Sequence, residues 1–429
     1  MKRFSRIFFA VVFILSFSAT SFVLAQAVEK KAAPAPKAAE GADAGLKPAM
    51  AKYRQAQADL KSALREAAEL QRKYLGIKTT DEEKEEIGEK LEKISKVVSK
   101  IHPKLFDLAE KAWLEEPSRE DGEFLNFIIQ VLETRMTVGE YERANAIMQG
   151  LISLKIPEIL PDLYDAAGEI AFMLNDFEQA ARFFELAEQN KVLSERCAGF
   201  KKDLSYYRSS WAKESVFRQQ DSEKKDLPRV TLDTTKGKIV LELYEDQTPN
   251  TVANFVYLVE KGFYDGMFFE QVIPGEGAVA GRSLENPDGG PGWTIRDEFD
   301  ATNSRNHYRG TISMMRGEPN SAGSMFFISF SPIKDLDGKY VVFGRVIEGM
   351  DVLTKLQIMD PTNPDPMAEP DQIEKASAMT KRDHKYRPKV IKKVDPEEER
   401  AKAEAAKALA EKKAGKNKKS KKPAARTAY

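Results

Sequence analysis

The chain has 429 residues, enough for two or three folding units, and its hydrophobic content of 42% is sufficient to build their cores. Lysine plus arginine equals aspartate plus glutamate at 67 each, so overall charge gives no argument for a nucleic-acid or membrane-surface partner. The single cysteine, Cys197, excludes an internal disulfide. We expect it to be a small buried hydrophobic residue on a helix, with a redox or linking role as the alternative.

Residues 1–27 have the pattern of a secretory signal. Three basic residues precede an apolar run from Ile7 to Leu15, and small residues follow at Ala25 and Ala27, either of which fits a cleavage site. An uncleaved anchor helix is the alternative, although the run is shorter than the roughly 20 residues that a span needs. No cysteine follows the run, which excludes a lipoprotein anchor. We expect an exported protein, periplasmic or extracellular, with no transmembrane span after signal removal.

Two helices are predicted after a spacer. Residues 28–47 are rich in Ala, Pro and Lys and lack apolar periodicity, which predicts a disordered spacer. Apolar residues then recur at helical spacing, and Thr80 with Glu83 forms a capping box that begins a second helix. Because a proline disfavours helix continuation, this helix is expected to end near Pro103. The predicted helices cover residues 48–75 and 80–101, and the helical hairpin covers 48–103.

Residues 104–211 contain a weak internal repeat. The segments Gly139–Ala144 and Asn175–Ala180 align at a separation of 36 residues, and each precedes an apolar helix face. A small residue, Gly168, occupies a position where paired helices touch closely. The region resembles tetratricopeptide repeats, whose usual period is about 34 residues. Such repeats have a concave face that binds extended peptides or partner proteins. The alternative is an ordinary helical bundle that supports the next domain.

Short strands replace helices after a charged segment, residues 212–227, which is predicted to be a helical or flexible linker. A glycine-containing turn, Thr235–Lys238, joins the first two strands. Thr248 as N-cap and Pro249 at the first helical position begin a helix. Many short strands with two helices favour a closed antiparallel barrel, within a multidomain α plus β chain. The predicted strands cover residues 230–232, 239–243, 267–272, 310–315, 325–329, 340–346 and 389–394, and the helices 248–260 and 350–357.

The chain ends in an Ala- and Lys-rich tail, residues 395–429. Its last part, Lys412–Arg426, holds eight basic residues and no acidic one. Such a run is usually solvated, and the alternative is that it holds an acidic partner by charge.

Five stretches occur together and in order between residues 228 and 394. They are TTKGKIVLELYEDQTPNTVANFVYLVEKGFYDG, VIPG, GGPGWTIRDEF, RGTISMMRGEPNSAGSMFFIS and LDGKYVVFGRVIEGMDVL. This region, roughly two-fifths of the chain, resembles the cyclophilin-type peptidyl-prolyl cis-trans isomerases. The resemblance implies an isomerase with a cyclophilin-like barrel over residues 228–394, whose substrates are proline-containing polypeptides. Together with the signal pattern of residues 1–27, it predicts a secreted bacterial protein.

The implied reaction is rotation about an X-Pro bond, whose barrier is about 18–20 kcal/mol because the amide nitrogen shares its lone pair with the carbonyl. In the family an arginine donates a hydrogen bond to the substrate, and apolar walls desolvate the bond. No covalent intermediate, metal or cofactor is implied.

Some pocket positions of the family are retained. Phe327 and Leu336 correspond to walls of the proline pocket, and Met314 to the adjacent strand. Tyr340 replaces a pocket histidine but keeps an aromatic ring with a polar end. Ser324 and Phe326 are the neighbours of the pocket strand.

Other positions of the groove differ from the family. Gln271 stands at the arginine position, and Glu270 replaces the histidine before it. A pocket phenylalanine becomes Glu276, and the two groove glutamines become Val279 and Met325. A neutral donor and a carboxylate at the mouth of an apolar cup predict weak turnover or none.

The sequence therefore supports three interpretations. The first is an isomerase that assists the folding of exported proteins, with Gln271 or Arg316 as the substitute donor. The second is an inactive cyclophilin-like binding module that acts with the helical repeats as a protein-interaction scaffold. The third is a structural role in which the helices and the basic tail attach the protein to the envelope.

Overall fold

The structure is a computed structural model that describes residues 47–76, 80–283, 289–299 and 303–392. The chain is divided into two compact units, and the boundary lies between Lys213 and Glu214. The predicted signal, most of the spacer and the basic tail lie outside the described residues. Among the helices that the structure describes, none combines the length and apolar character needed to cross a membrane.

The first unit is helical. The capping box is confirmed, because the Thr80 hydroxyl accepts from the Glu83 backbone N–H and the Glu83 carboxylate accepts from the Thr80 backbone N–H. The helices are α1 (Pro48–Tyr74), α2 (Asp81–Glu115), α3 (Gly122–Thr137), α4 (Tyr141–Ser153), α5 (Asp162–Met173), α6 (Phe177–Gln189) and α7 (Glu195–Lys224), with a 3₁₀ turn at Ile156–Glu158. Cys197 lies on α7 and is buried, as predicted.

The predicted end of α2 near Pro103 is wrong, because the helix continues to Glu115. A proline inside a helix removes one backbone hydrogen bond. Burial of the following turns offsets that loss, since Leu105 and Trp113 are both in the core. The Trp113 indole also donates to the Ile147 carbonyl at 3.1 Å, which ties the end of α2 to α4.

The two repeat segments form matching turns. Gly139, between α3 and α4, has φ 79°, and Asn175, between α5 and α6, has φ 64°. In each turn the next residue's N–H reaches back five residues, from Glu140 to the Arg135 carbonyl and from Asp176 to the Ala171 carbonyl, both at 2.8 Å. A left-handed residue is a common way to end a helix. The sequence repeat therefore corresponds to a structural repeat of helix, turn and helix.

The second unit contains the predicted closed antiparallel barrel of eight strands. Apolar side chains fill its interior, and α8 (Pro249–Glu260) packs against it with Val252, Phe255 and Val256 buried. The other elements are β1 (Arg229–Thr234), β2 (Gly237–Leu243), β3 (Met267–Ile273), β4 (Gly277–Ala280), β5 (Trp293–Ile295), β6 (Thr311–Met314), β7 (Phe326–Ser329), β8 (Val342–Glu348), α9 (Met350–Leu353), β9 (Gln372–Thr380) and β10 (Val390–Lys392). Around the barrel the strands follow the order β1, β2, β8, β6, β7, β4, β3 and β9.

The strand that closes the barrel was not predicted. β9 pairs with both β1 and β3, whereas the predicted final strand, β10, pairs with β5 in a separate two-stranded sheet. β9 contains Glu374, Lys375 and small residues that have low strand propensity. Only Ile373 and Ala376 of this strand are fully buried. Tertiary pairing therefore decides its conformation.

Thr248 is the N-cap of α8, as predicted, but its side chain does not cap the helix. The Glu298 carboxylate instead accepts from the backbone N–H groups of Asn250 and Thr251 at 2.9 and 2.7 Å. A carboxylate at this end satisfies orphan donors and complements the helix dipole. The other predicted helix is shorter than expected, because α9 ends at Leu353.

The charged segment before the barrel is helical to Lys224, and its residues from Glu214 onward belong to the second unit. Within that unit, buried Arg305 contacts Glu214 at 3.2 Å and Asp221 at 2.7 Å. Its guanidinium also lies 4.7 Å from the centroid of the Phe217 ring. The end of α7 is thus packed on the barrel and does not act as a free linker.

Candidate active site

A bulge in β3 determines where the altered groove residues point. Phe269 lies opposite Ala280, and Gln271 lies opposite Val279, so two steps along β3 match one step along β4. Both Phe269 and Val272 are buried in the barrel core. Because the bulge inserts an extra residue between them, Glu270 and Gln271 both lie outside the core.

Gln271, Val279 and Phe327 form one row across three strands. Gln271 pairs with Val279, and Val279 pairs with Phe327. Directly opposed residues share a face of a sheet, and the flanking residues Ala278 and Ile328 belong to the core. The row therefore lies on the outer face. At about 4.8 Å per strand, the backbone of Gln271 is about 10 Å from that of Phe327, a distance that a prolyl peptide can bridge.

Phe327 lies in an aromatic corner. Its ring is 5.7 Å from that of Tyr340 in a T-shaped arrangement, and 5.7 Å from that of His307 with the planes 3° from parallel. Leu336 precedes Tyr340 in the same turn, where the Tyr340 N–H donates to the Leu336 carbonyl at 3.2 Å. The predicted pocket residues Phe327, Leu336 and Tyr340 are thus connected through this turn and its ring contact.

The assignment of Met314 to the pocket is wrong. Met314 pairs with Phe326, and both side chains belong to the barrel core. Successive side chains of a strand point to opposite faces. The β6 residue opposite Phe327 is therefore Ser313, which is fully buried.

Met325 is half-buried just before β7, and its carbonyl accepts from the Met315 N–H at 2.9 Å. The preceding carbonyl, that of Ser324, accepts from the Tyr264 hydroxyl at 3.0 Å. Burial raises the pKa of Tyr264, which keeps this hydroxyl protonated as a donor. A hydrogen bond from the barrel core therefore fixes the segment that immediately precedes β7.

Arg316 lies beside Tyr340 and is already engaged. Its Nε donates to the Lys339 carbonyl at 2.6 Å, and its Nη1 is 3.2 Å from the Asp297 carboxylate. The guanidinium lies 5.8 Å from the centroid of the Tyr340 ring. A substrate would compete with these contacts for its hydrogen-bond donors.

The two altered acidic positions have different surroundings. The Glu270 carboxylate accepts from Arg282 Nε at 2.7 Å. Glu276 is exposed at the end of a turn that its N–H closes onto the Ile273 carbonyl at 3.0 Å. The charged Glu276 side chain is therefore exposed to solvent in the turn between β3 and β4.

The structure adds His307 and Asp337 to the site, and neither was predicted. His307 Nδ1 lies 2.8 Å from the Asp337 carboxylate, and its ring covers one face of Phe327. His307 belongs to an irregular segment before β6, where no periodicity marks a functional side chain. Asp337 lies within the quoted LDGKY stretch, which was the only sequence signal available.

Comparisons with known proteins agree with this architecture. Residues 229–378 match the family of cyclophilin type peptidyl-prolyl cis-trans isomerase/CLD. A Helicobacter pylori peptidyl-prolyl cis-trans isomerase is 42% identical over 129 residues, which cover 30% of this chain and 78% of the relative. The Schizosaccharomyces pombe peptidyl-prolyl cis-trans isomerase ppi1 is 36% identical over 156 residues, 36% of this chain and 100% of the relative. Peptidyl-prolyl cis-trans isomerase B of Bacillus subtilis is 42% identical over 115 residues, 27% of this chain and 80% of the relative.

The chain belongs to the cyclophilin-type peptidyl-prolyl cis-trans isomerase family. Its membership rests on the barrel strands and the segments between them, and the helices before Glu214 lie outside the matched residues.

Proposed function

We propose that the barrel unit is a peptidyl-prolyl isomerase of low turnover that acts on proline-containing polypeptides. The observation that carries this proposal is the outward row of Gln271, Val279 and Phe327 beside the ring of Tyr340. A prolyl ring packed on Phe327 would place its amide bond over the groove, within reach of Gln271. Apolar surroundings disfavour the charge-separated amide resonance that creates the rotation barrier.

We expect low turnover because the hydrogen-bond donor at the arginine position, Gln271, is uncharged. The Gln271 amide can donate to the substrate, but a neutral donor makes a bond about half as strong as a charged one. The difference is about 1–2 kcal/mol, roughly tenfold or more in rate. Glu276 adds to the loss, because burial of an aromatic side chain at that position would contribute about 1.5–3 kcal/mol. Arg316 is the less favourable donor, because its guanidinium is held by Lys339 and Asp297.

The test is a prolyl-peptide isomerisation assay on the full chain. We expect the order of activity Gln271→Arg, then wild type, then Gln271→Ala. Arg316→Ala is the matched comparison and should change the rate less than Gln271→Ala. Equal rates for wild type and Gln271→Ala would exclude Gln271 as donor, and no turnover by any variant would exclude the isomerase proposal.

The proposed setting is outside the cytoplasmic membrane, where the isomerase would assist the folding of exported proteins. The support is the signal pattern of residues 1–27. Fractionation of cells that produce the full chain tests it, with and without residues 2–24. Equal retention of both forms in the cytoplasm would contradict export.

A second candidate function is a protein-binding scaffold built on the first unit. A groove of about 550 Å³ runs along α4, α5 and α6. Met148, Ile152 and Phe183 line it together with the polar side chains of Gln179 and Arg182. Polar and apolar side chains thus line the groove together, and such a mixed lining can contact both the backbone and the side chains of an extended polypeptide. This agrees with the resemblance to tetratricopeptide repeats.

Aggregation of a denatured, proline-free test protein separates the two candidates. Suppression by the full chain that is lost in Ile152→Glu and kept in Phe327→Ala would support the scaffold. Absence of suppression by the wild type, or equal suppression by Ile152→Glu, would exclude the groove as the binding surface.

A further inference from the structure

His307 is the fully buried neighbour of the pocket ring. Its side chain has no solvent exposure, whereas Phe327 retains 7%. The two ring planes are 3° from parallel with centroids 5.7 Å apart, which is an offset stack. The His307 ring therefore covers one face of the Phe327 ring. The Tyr340 ring contacts the Phe327 ring in a perpendicular, T-shaped arrangement. Together these two contacts fix the plane of Phe327.

The same histidine is hydrogen-bonded to the segment that contains Leu336, the other predicted wall of the proline pocket. Asp337 Oδ1 accepts from the His307 backbone N–H at 2.7 Å and lies 2.8 Å from ring Nδ1. The Ile333 N–H donates to the His307 carbonyl at 3.1 Å. Asp337 directly follows Leu336 in the chain. The wall between Leu336 and Tyr340 is thus anchored to the residue that stacks on Phe327.

The two ring nitrogens of His307 have different roles. Nδ1 faces a carboxylate, which accepts only, so this nitrogen carries a proton. Nε2 is buried without a hydrogen-bond partner among the described residues. An orphaned buried nitrogen is unfavourable, and a phenylalanine would avoid it. A phenylalanine would stack equally well but could not donate to Asp337, so the imidazole is explained by its double contact.

We infer that His307 is a positioning residue of the prolyl pocket, because its ring orients Phe327 while its Nδ1 anchors the Leu336 wall through Asp337. It acts through these residues, because its side chain is fully buried and cannot reach a bound peptide. The effect on peptide binding rests on the proposed isomerase function, whereas the effect on the pocket itself does not.

Three variants of the full chain separate the two contacts. His307→Phe keeps the stack and loses the Nδ1 donor, His307→Asn keeps a donor near Nδ1 and loses the stack, and His307→Ala loses both. His102→Ala, an exposed histidine of the first unit, is the matched control. Thermal unfolding identifies variants that remain folded, and the first two variants test the inference even where His307→Ala does not fold.

Two NMR measurements are made on each variant. The ring-flip rate of ¹³C-labelled Phe327 reports the stack without any peptide, and the resonances of Leu336 and Tyr340 report the wall. Titration with an Ala-Ala-Pro-Phe peptide gives the Kd, and exchange spectroscopy gives the isomerisation rate. A pocket that binds ground and transition states alike changes KM more than kcat.

We expect faster Phe327 flipping in His307→Asn, displaced wall resonances in His307→Phe, and about threefold weaker peptide binding in each. His307→Ala should weaken binding about tenfold at nearly unchanged kcat, and His102→Ala should stay within twofold of wild type. Unchanged ring flipping and wall resonances in folded variants would overturn the inference. If the wild type binds no prolyl peptide, the proposed isomerase fails, but those two resonance measurements still decide whether His307 positions the pocket.

Discussion

The guanidinium of Arg305 lies 3.8 Å from the centroid of the Tyr244 ring. Both side chains are fully buried, and the guanidinium also forms ion pairs with Glu214 and Asp221 from the end of α7. A buried cation requires such paired surroundings. This contact makes eleven residues that precede the matched family region, Glu214–Lys224, part of the barrel unit.

Arg305→Ala should destabilise the second unit by about 3–5 kcal/mol, because it removes the cation that pairs with buried Asp221 and leaves buried Glu214 with Arg218 alone. The exposed pair of Lys355 and Asp351 is the control, and Lys355→Ala should cost about 0.3–0.5 kcal/mol. Urea unfolding followed by hydrogen exchange of the barrel amides measures both. A loss below 1 kcal/mol for Arg305→Ala would show that the end of α7 is not required by the barrel.

The same buried arginine illustrates what the sequence could reveal. Strand β2 was predictable because its apolar residues alternate, but a charged stretch such as 214–224 gives no sign of the arginine that will neutralise it. Phe327 and Val279 were assigned to the groove from local motifs. Met314 was misassigned because only the pairing register decides which face a strand residue occupies. His307 was missed because its partners, Phe327 and Asp337, are brought to it by tertiary structure alone.

Glu276 should influence the choice of substrate. An exposed carboxylate near the groove attracts a cation, and exposed pairs contribute about 0.2–1 kcal/mol. A prolyl peptide with lysine beside the proline should therefore bind up to about fivefold more tightly than one with glutamate. Glu276→Gln should abolish this preference, whereas Asp233→Asn on β1, across the barrel, should keep it. Equal affinities of the wild type for both peptides would remove Glu276 from the determinants of specificity.

Stability of the second unit should depend on Asp246. The hydrogen bond from Arg382, with a second from Lys224, lowers the pKa of the Asp246 carboxyl below its usual value. The carboxylate therefore stabilises the fold above the ordinary aspartate pKa of about 3.9. This contribution disappears as the pH falls through the lowered value. Because Asp246 is 31% exposed, its contribution should stay below about 1 kcal/mol.

Unfolding of the wild type and of Asp246→Asn at several pH values tests this dependence. The wild type should be the more stable at pH 7, and the difference should shrink as the pH falls below the ordinary aspartate pKa and vanish once the pH is below the lowered value. Asp360→Asn is the comparison in the same unit, because hydrogen bonds from Thr362, and not an ion pair, lower the pKa of the partly buried Asp360 carboxyl. A difference between wild type and Asp246→Asn that persists at the lowest pH would assign the effect to packing and not to charge.

The helical unit offers a paired test of close packing. A side chain at Gly168 in α5 would overlap the Phe184 ring of α6, whereas one at Gly88 in α2 would meet no heavy atom within 4 Å. Gly168→Ala should therefore cost about 1–3 kcal/mol through overpacking. Gly88→Ala should stabilise by about 0.5–1 kcal/mol, because alanine loses less backbone entropy in a helix. Denaturant unfolding monitored by exchange of helical amides gives both values. Equal tolerance of the two substitutions would mean that α5 and α6 are not held at the close distance that a tetratricopeptide-like pair requires.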